Sequence, residues 1–534
     1  MLTQPQNASS AVETTFGGAP INTITKGLPK TVESICPEPG CGRIIDARMF
    51  AEDDKVWMEK TCPEHGYVKD LYWSDVELYL KAERWEFGDF RGLSNPFTVS
   101  EDCPRDCGLC QQHTSHTALG NIDLTNRCNL SCPICFANAN VTGSVYEPTR
   151  EQIVEMLRLY RREQPVQGRV VQFSGGEPTI HPDFLDILRD ARDLGFAHLQ
   201  IASNGIKLSD PDFAARAADA GLHTIYLQFD GLDEGVYEQL RGRRLLDTKL
   251  KAVESIRRAG MKIVYVPTIA RTINDDQVVP ILKFAIENID VSSGISYQPV
   301  ALTGRVSHEE RRRLRYTLPD LVHGLNEAGF TDNSDWYPLS LVSPISKFIS
   351  ALREDPAVHI TCHPHCSLGT YLAIEPGTKR PVPITRFLDV EGMFSAMDER
   401  ADRMSKARFK LFHQAGAFYE LHKFFKPEGA PAGLDFTAFL RTLQGLLDKK
   451  VGRGEGATTY KMLLVAGMHF MDGYNYELER VRRCVIHYAT PSGRVIPFCA
   501  YNGGHYLREG IEKEYSVPLA EYQRRRAELT TPGR

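Results

Sequence analysis

Cys128, Cys132 and Cys135 stand in the stretch NIDLTNRCNLSCPICFANAN, at a Cys-x3-Cys-x2-Cys spacing. Ile122, Asp123 and Leu124 read as the end of a strand, and Thr125 to Arg127 turn the chain into a loop. Iron–sulfur clusters are held by cysteine thiolates, normally four. Three thiolates at this spacing fit one cubane, each on a different iron, and leave the fourth iron open to a small molecule. A zinc site short of one ligand, or a set of buried thiols, is the plainer alternative.

Some forty residues on, the apolar run Val170 to Phe173 is followed by Ser174-Gly175-Gly176-Glu177-Pro178-Thr179. Paired glycines let a backbone turn tightly and approach a ligand closely, and the Glu177 carboxylate suits an ammonium group. With both motifs in this order, the chain resembles the radical S-adenosylmethionine (radical SAM) superfamily. The resemblance implies that the open iron chelates the amino and carboxylate groups of SAM. It also implies that the Gly-Gly-Glu turn receives the SAM ammonium, and that the reduced cluster cleaves SAM to methionine and a 5′-deoxyadenosyl radical. One position departs from the family pattern. Ile134 stands where an aromatic residue usually precedes the third cysteine, which bears on the packing around adenine.

These motifs need a scaffold. The chain has 534 residues, enough for two to four domains and a sizeable core. A net charge of −5 gives no argument for nucleic acid. Most of the 13 cysteines fall in short-spaced groups, which suits metal binding in a reducing compartment better than disulfides. The N-terminus lacks the basic and apolar regions of a signal peptide. No run reaches the length of a membrane-spanning helix. A cytoplasmic protein is expected, with residues 1–30 disordered or loosely attached.

From 118 to 335 strands and helices alternate. Strands are expected at Asn121–Leu124, Val170–Phe173, Leu199–Ser203, Thr224–Phe229, Lys262–Pro267 and Gly294–Gln298. Helices are expected at Arg150–Glu163, Pro182–Leu194, Asp210–Ala220, Lys249–Ala259 and Gln277–Glu287. Gly195, Gly221 and Gly260 fall where these helices should stop. Repeated βα units imply an α/β fold with a parallel sheet. Six units fit the partial (β/α)6 barrel that the resemblance implies, with ligands at the C-terminal ends of the strands. There, Ser203 and Asn204 are candidates for the SAM ribose, and Asp230 for a further SAM contact. Pro267-Thr268 lies where the family holds adenine. Each has a plainer reading: Asn204-Gly205 is an ordinary turn dipeptide, and Asp230 suits a helix cap.

Three further groups of ligands surround the barrel. In residues 31–75, Cys36, Cys41, Cys62 and His65 form two knuckles on hairpin ends, a tetrahedral site for zinc or a single iron. In residues 76–117, after a helix at Asp75–Glu86, Cys103, Cys107 and Cys110 repeat the three-cysteine spacing. No Gly-Gly-Glu turn lies near them, so they read as an auxiliary cluster. Its fourth ligand is left open between His113 or His116, a distant cysteine, and none. In the C-terminal region 336–534, Cys362, Cys366, Cys484 and Cys499 are the remaining cysteines and suggest one more fully ligated cluster. Zinc or buried thiols are the alternatives, and His363 and His365 read as surface or supporting residues. Helices are expected at Ser405 to Phe425, Phe436 to Leu447 and Thr458 to Met471, and strands at Val481–Tyr488 and Val495–Cys499.

Together these features are similar to one branch of the superfamily, the class D methyltransferases, which include dihydropterin dimethyltransferases, with the tetraether lipid synthases. The likeness rests on the Cys36/Cys41/Cys62/His65 module, KDLYW at 69–73, and Cys103/Cys107/Cys110. CNLSCPICFANAN, Cys362/Cys366-Ser-Leu-Gly and the segment PFCAYN from Pro497 complete it. It implies a rubredoxin-like N-terminal module, two auxiliary 4Fe–4S clusters, and C–C bond formation at an unactivated carbon, by methylation or by coupling of lipid tails. The expected partners are a small substrate such as a pterin or lipid and an electron donor such as flavodoxin or ferredoxin, with a peripheral membrane contact left open. The rivals are a radical SAM peptide maturase and a metal-knuckle scaffold.

Overall fold

The fold was analysed in a computed structural model. It describes residues 15–16, 19–20, 24–38, 40–86, 92–137, 139–140, 142–301, 308–353, 357–406, 422–447, 460–503 and 506–530. Much of the expected N-terminal segment 1–30 and most of the helix expected at Ser405 to Phe425 lie outside the described residues.

Six parallel strands form the centre: Leu119–Thr125, Val170–Gly175, His198–Ser203, Thr224–Gln228, Lys262–Val266 and Ser292–Pro299. Their outward residues, such as Ile122, Phe173, Ile201, Ile225 and Leu227, are fully buried against the helices. The helices are amphipathic and capped. Thr149, for example, closes a capping box with Gln152 at the start of Arg150–Arg162. Gly195, Gly221 and Gly260 follow their helices with positive φ. The expected partial (β/α)6 barrel is thus present, with boundaries shifted by one to three residues.

The sheet does not stop at the barrel. Beyond the sixth strand it continues through Lys461–Met468, then Ser367–Ile374 and Pro381–Pro383. Beyond the first strand it continues through Ile486–Ala489 and Val495–Pro497. This corrects the helix expected at Thr458 to Met471. Its apolar residues pack on both faces of an inner strand, which reads as a continuous apolar run without a period of two. The expected strand Val481–Tyr488 is also divided: Leu478–Arg482 is helical, and Cys484 lies between that helix and the strand Ile486–Ala489. Cys499 falls in the helix Phe498–Gly503, not in the strand before it.

Four antiparallel strands, Lys30–Ile35, Ile44–Glu52, Lys55–Cys62 and Gly66–Trp73, make the N-terminal ribbon. It is docked through buried charge. Arg311 and Arg315 reach Asp70 of the ribbon, and Arg315 also reaches Asp472 at 2.7 Å. Lys60 donates to the Gly473 carbonyl at 2.6 Å. The helix Val76–Glu83, capped by Asp75, follows. Among the described residues, no helix is long and apolar enough to cross a membrane.

Candidate active site and metal centres

The cluster loop starts where the first barrel strand ends, and two side chains fix it. Asn140 accepts from the Cys128 backbone N–H at 3.0 Å and donates to the carbonyls of Cys128 and Leu130. Asn204, at the end of the third strand, donates to Asn129 at 2.6 Å. The Gly-Gly-Glu turn is laced to the same loop. The Gly176 N–H donates to the Thr125 carbonyl at 2.7 Å, and the Glu177 N–H to the Arg127 carbonyl at 2.9 Å. A Cβ on Gly175 would lie 2.2 Å from the Thr125 oxygen, and one on Gly176 would lie 2.2 Å from the Arg127 oxygen. Gly175 also has φ of 123°. Only glycine lets the two motifs touch.

Glu177 is buried and already engaged. Its carboxylate accepts from Thr179, from the Ser203 hydroxyl at 2.9 Å and from the Asn204 N–H at 2.8 Å. Burial raises its carboxyl above the usual range, and these donors oppose that. Glu177 therefore ties the second strand end to the third, whatever else it binds. Asp230 is not a helix cap, since Asp233 takes that place. It is fully buried and holds Arg241 through two bonds of 2.7 Å. Arg241 in turn donates to the Ile134 carbonyl at 3.1 Å and lowers the Cys132 thiol, which burial raises. Ile134 itself packs against Ala270, just past the Pro267-Thr268 strand end. Lys249, buried beneath the site, donates to the Asn204 carbonyl and to Gln228. Burial brings its ammonium down to about 7.

Asn140, Arg241 and Lys249 were not anticipated from sequence. Only the FANAN tail of the cysteine loop hinted at Asn140.

Burial pushes the Cys128 thiol up to about 12 and raises Cys132 as well. Such thiols become thiolates when a cation is placed beside them. Among the described residues, two sets of donors converge within 4.8 Å. One is Cys36, Cys41, Cys62 and His65, the compact geometry of a single ion. Against burial, backbone N–H groups of Glu64 and His65 bring Cys62 down to about 6, a thiolate suited to a metal. His65, though exposed, places Nδ1 3.5 Å from Cys36 and 3.4 Å from Cys62. The other set is His363, His365 and Glu477. Both histidines are fully buried, which removes the surface half of their reading as surface or supporting residues.

The three remaining cysteine groups are each gathered closely enough for their thiols to act on one another electrostatically. A cubane is held by three or four such thiols, so the donor sets fit the group in kind and number. Cys128, Cys132 and Cys135 perturb one another electrostatically. So do Cys103, Cys107 and Cys110. Cys362, Cys366, Cys484 and Cys499, far apart in sequence, converge in the same way. His113 is occupied with the Cys484 carbonyl at 2.9 Å, and His116 accepts from the His359 N–H at 2.8 Å.

The inner face of the barrel is polar. Asn121, Gln172 and Gln200 are hydrogen-bonded across neighbouring strands. Asp123 accepts from Ser174 at 2.7 Å and from Arg508, on the C-terminal helix Tyr506–Tyr515, at 2.9 Å.

The sequence profile of the radical SAM superfamily matches residues 122–285, the segment that holds this loop and turn. A 7,8-dihydro-6-hydroxymethylpterin dimethyltransferase of Methanocaldococcus jannaschii is 42% identical over 501 residues, 93% of this chain and 97% of that protein. The chain belongs to the radical SAM superfamily. It is a radical SAM enzyme, and its N-terminal strands match the HMPTM N-terminal zinc ribbon domain over residues 28–74. A probable GTP 3′,8-cyclase of Sulfurisphaera tokodaii is 27% identical over 195 residues, 36% of this chain and 60% of that protein. Among solved structures, Streptococcus suis SuiB bound to S-adenosylmethionine is similar, with a TM-score of 0.32 at 18% identity. That match covers 53% of this chain and 66% of SuiB. As a radical SAM enzyme the chain uses a 4Fe–4S cluster and SAM.

Proposed function

We propose that this enzyme forms a carbon–carbon bond at an unactivated sp3 carbon, as a C-methyltransferase acting on a dihydropterin. The observation that carries this is the 42% identity with a pterin dimethyltransferase over nearly all of both chains. When bound at Cys128, Cys132 and Cys135, the cluster and SAM supply the one-electron chemistry that breaks such a C–H bond. The protein's own residues hold and shield the reacting groups. Asn140 and Asn204 fix the loop, and Gly175 and Gly176 allow its close approach to the turn. Glu177, Ser203 and Asn204 shape the SAM side, and the Asp230–Arg241 pair supports the far wall.

Cys103, Cys107 and Cys110, and the set Cys362, Cys366, Cys484 and Cys499, are proposed to hold auxiliary clusters that pass electrons from a flavodoxin or ferredoxin. The ribbon is proposed to hold one structural zinc.

The polar lumen favours a heterocycle over an alkyl tail. A tail lying against the Asn121–Gln172–Gln200 row leaves its spare donor, the Asn121 Nδ2, without a partner, at about 1–3 kcal/mol.

The test is anaerobic turnover of the reconstituted enzyme with SAM, dithionite and 6-hydroxymethyl-7,8-dihydropterin. 5′-Deoxyadenosine, S-adenosylhomocysteine and a pterin heavier by one or two methylenes are expected. Turnover with a lipid extract that joins alkyl tails, and none with the pterin, would replace this reading with lipid coupling.

A further inference from the structure

Three adjacent barrel strands present one amide each to the lumen. The Gln172 Nε2 donates to Asn121 Oδ1 at 2.9 Å, and the Gln200 Nε2 donates to Gln172 Oε1 at 2.9 Å. On the fourth strand Tyr226 faces the same lumen one inward position further along, in register with Ala202, and Gln200 lowers its phenol against the burial that raises it. Strand registers pair Asn121 with Gln172 and Gln172 with Gln200, so the row runs straight across the sheet. At about 4.8 Å between strands, the three amides extend over roughly 10 Å, with Tyr226 diagonally beyond them.

The row is not saturated. A primary amide has two N–H donors and a carbonyl with two lone pairs, and each rung uses one of each at most. Asn121 Nδ2 at one end has no partner, although Asn121 is fully buried. Ser296 Oγ, on the sixth strand, is likewise buried and unpartnered. Buried polar groups are nearly always satisfied, so spare donors and acceptors on the first and sixth strands, at the two ends of the barrel, point to a missing polar ligand between them.

The lumen is open to it. On the fourth strand the outward Ile225 and Leu227 are fully buried, while the inward Tyr226 and Gln228 are half-buried. Two residues further along the first and second strands stand Asp123 and Ser174, and then the Cys128 loop and the Gly-Gly-Glu turn. A flat molecule seated on the row has its far side towards the cluster loop.

We propose that the Asn121–Gln172–Gln200 row, extended by Tyr226, reads the hydrogen-bonding edge of the substrate's planar ring and sets substrate specificity. This rests on the pterin reading above. The edge is the 2-amino-4-oxopyrimidine side, whose alternating donors and acceptors match alternating amide N–H and C=O groups. Carbon to be alkylated then lies on the ring's other side. These are positioning residues that touch neither SAM nor the cluster.

The experiment is fluorescence titration of the reconstituted holoprotein, with SAM present and no reductant. The probes are 6-hydroxymethylpterin and the matching lumazine, which carries a carbonyl where the pterin has its amino group. The proposal expects the lumazine to bind at least tenfold more weakly. It also expects Gln172→Leu and Gln200→Leu to weaken pterin binding at least tenfold, with iron content and the thermal unfolding midpoint retained. In turnover, KM should rise while kcat changes little. Equal binding of both probes by the unaltered protein would overturn the proposal without any variant, even if Gln172→Leu failed to fold. Unchanged affinity in both folded variants would overturn it too. Failure of the unaltered protein to bind either probe would instead remove the pterin reading itself.

Discussion

Asp230 and Arg241 form a buried, two-bonded ion pair, with 2.7 Å from each guanidinium nitrogen to its carboxylate oxygen. Arg241 also donates to the Ile134 carbonyl, inside the cysteine loop, and to the Thr268 hydroxyl, each at 3.1 Å. Removing one partner of a buried pair strands the other, at about 3–5 kcal/mol. Asp230→Ala should therefore destabilise the fold by about that amount and lower iron retention after reconstitution. Urea unfolding and iron analysis check this, and a loss under 1 kcal/mol would show that water reaches the pair.

Gly176→Ala places a methyl group where the Arg127 carbonyl oxygen now lies. The loop and turn must separate, so the variant should bind the ribbon metal normally but lose most of the SAM-site iron. About four fewer irons per chain are expected by chemical analysis. Unchanged iron with full SAM cleavage would mean that the close approach is dispensable.

The ribbon and the barrel sites should empty independently. A triple Cys128, Cys132 and Cys135→Ala variant should keep one ribbon metal per chain, because Cys36, Cys41, Cys62 and His65 are complete in themselves. Cys41→Ser should release that metal while leaving barrel iron in place. Metal analysis of the two proteins gives the answer, and joint loss from either one would show that the sites assemble together.

Glu163 sets a pH dependence. Burial pushes its carboxyl up to about 8, only partly opposed by Thr117, which donates to it from both hydroxyl and backbone. The folded pKa exceeds the unfolded one, so the native state binds the extra proton between about pH 4.5 and 8. Stability should fall as pH rises through that window. Glu163→Gln should flatten the dependence and raise the melting temperature at pH 8 relative to pH 5.5. A parallel slope in the variant would assign it to another group.

Much of this was legible from residue types. Cysteine spacing marked the loop inside the superfamily match and the ribbon set that converges within 4.8 Å, and the 3.6-residue pattern with glycine stops placed the barrel helices. What failed has a physical cause. Lys461–Met468 is apolar on both sides because it is an inner strand, so its pattern could not separate strand from helix. Arg241, Lys249 and Arg508 carry no local signal, since each acquires its role from a partner on a distant segment. For His363 and His365 the surface and supporting readings could not be separated, because nothing in their neighbourhood revealed the ribbon and helix residues Tyr72, Trp73 and Tyr79 that pack on His365.

The two flanks of the sheet also govern how the protein is made. Leu119–Thr125, the strand that launches the cluster loop, takes one neighbour from Val170–Gly175 and the other from Ile486–Ala489. On a ribosome the second arrives only after nearly all the rest has emerged. Until then the nascent barrel has an unpaired edge beside a loop of reactive thiols, and contacts so distant in sequence form slowly. Iron delivery should thus be better matched to release of the finished chain than to its elongation, and shortened chains should accumulate as aggregates instead of smaller working enzymes.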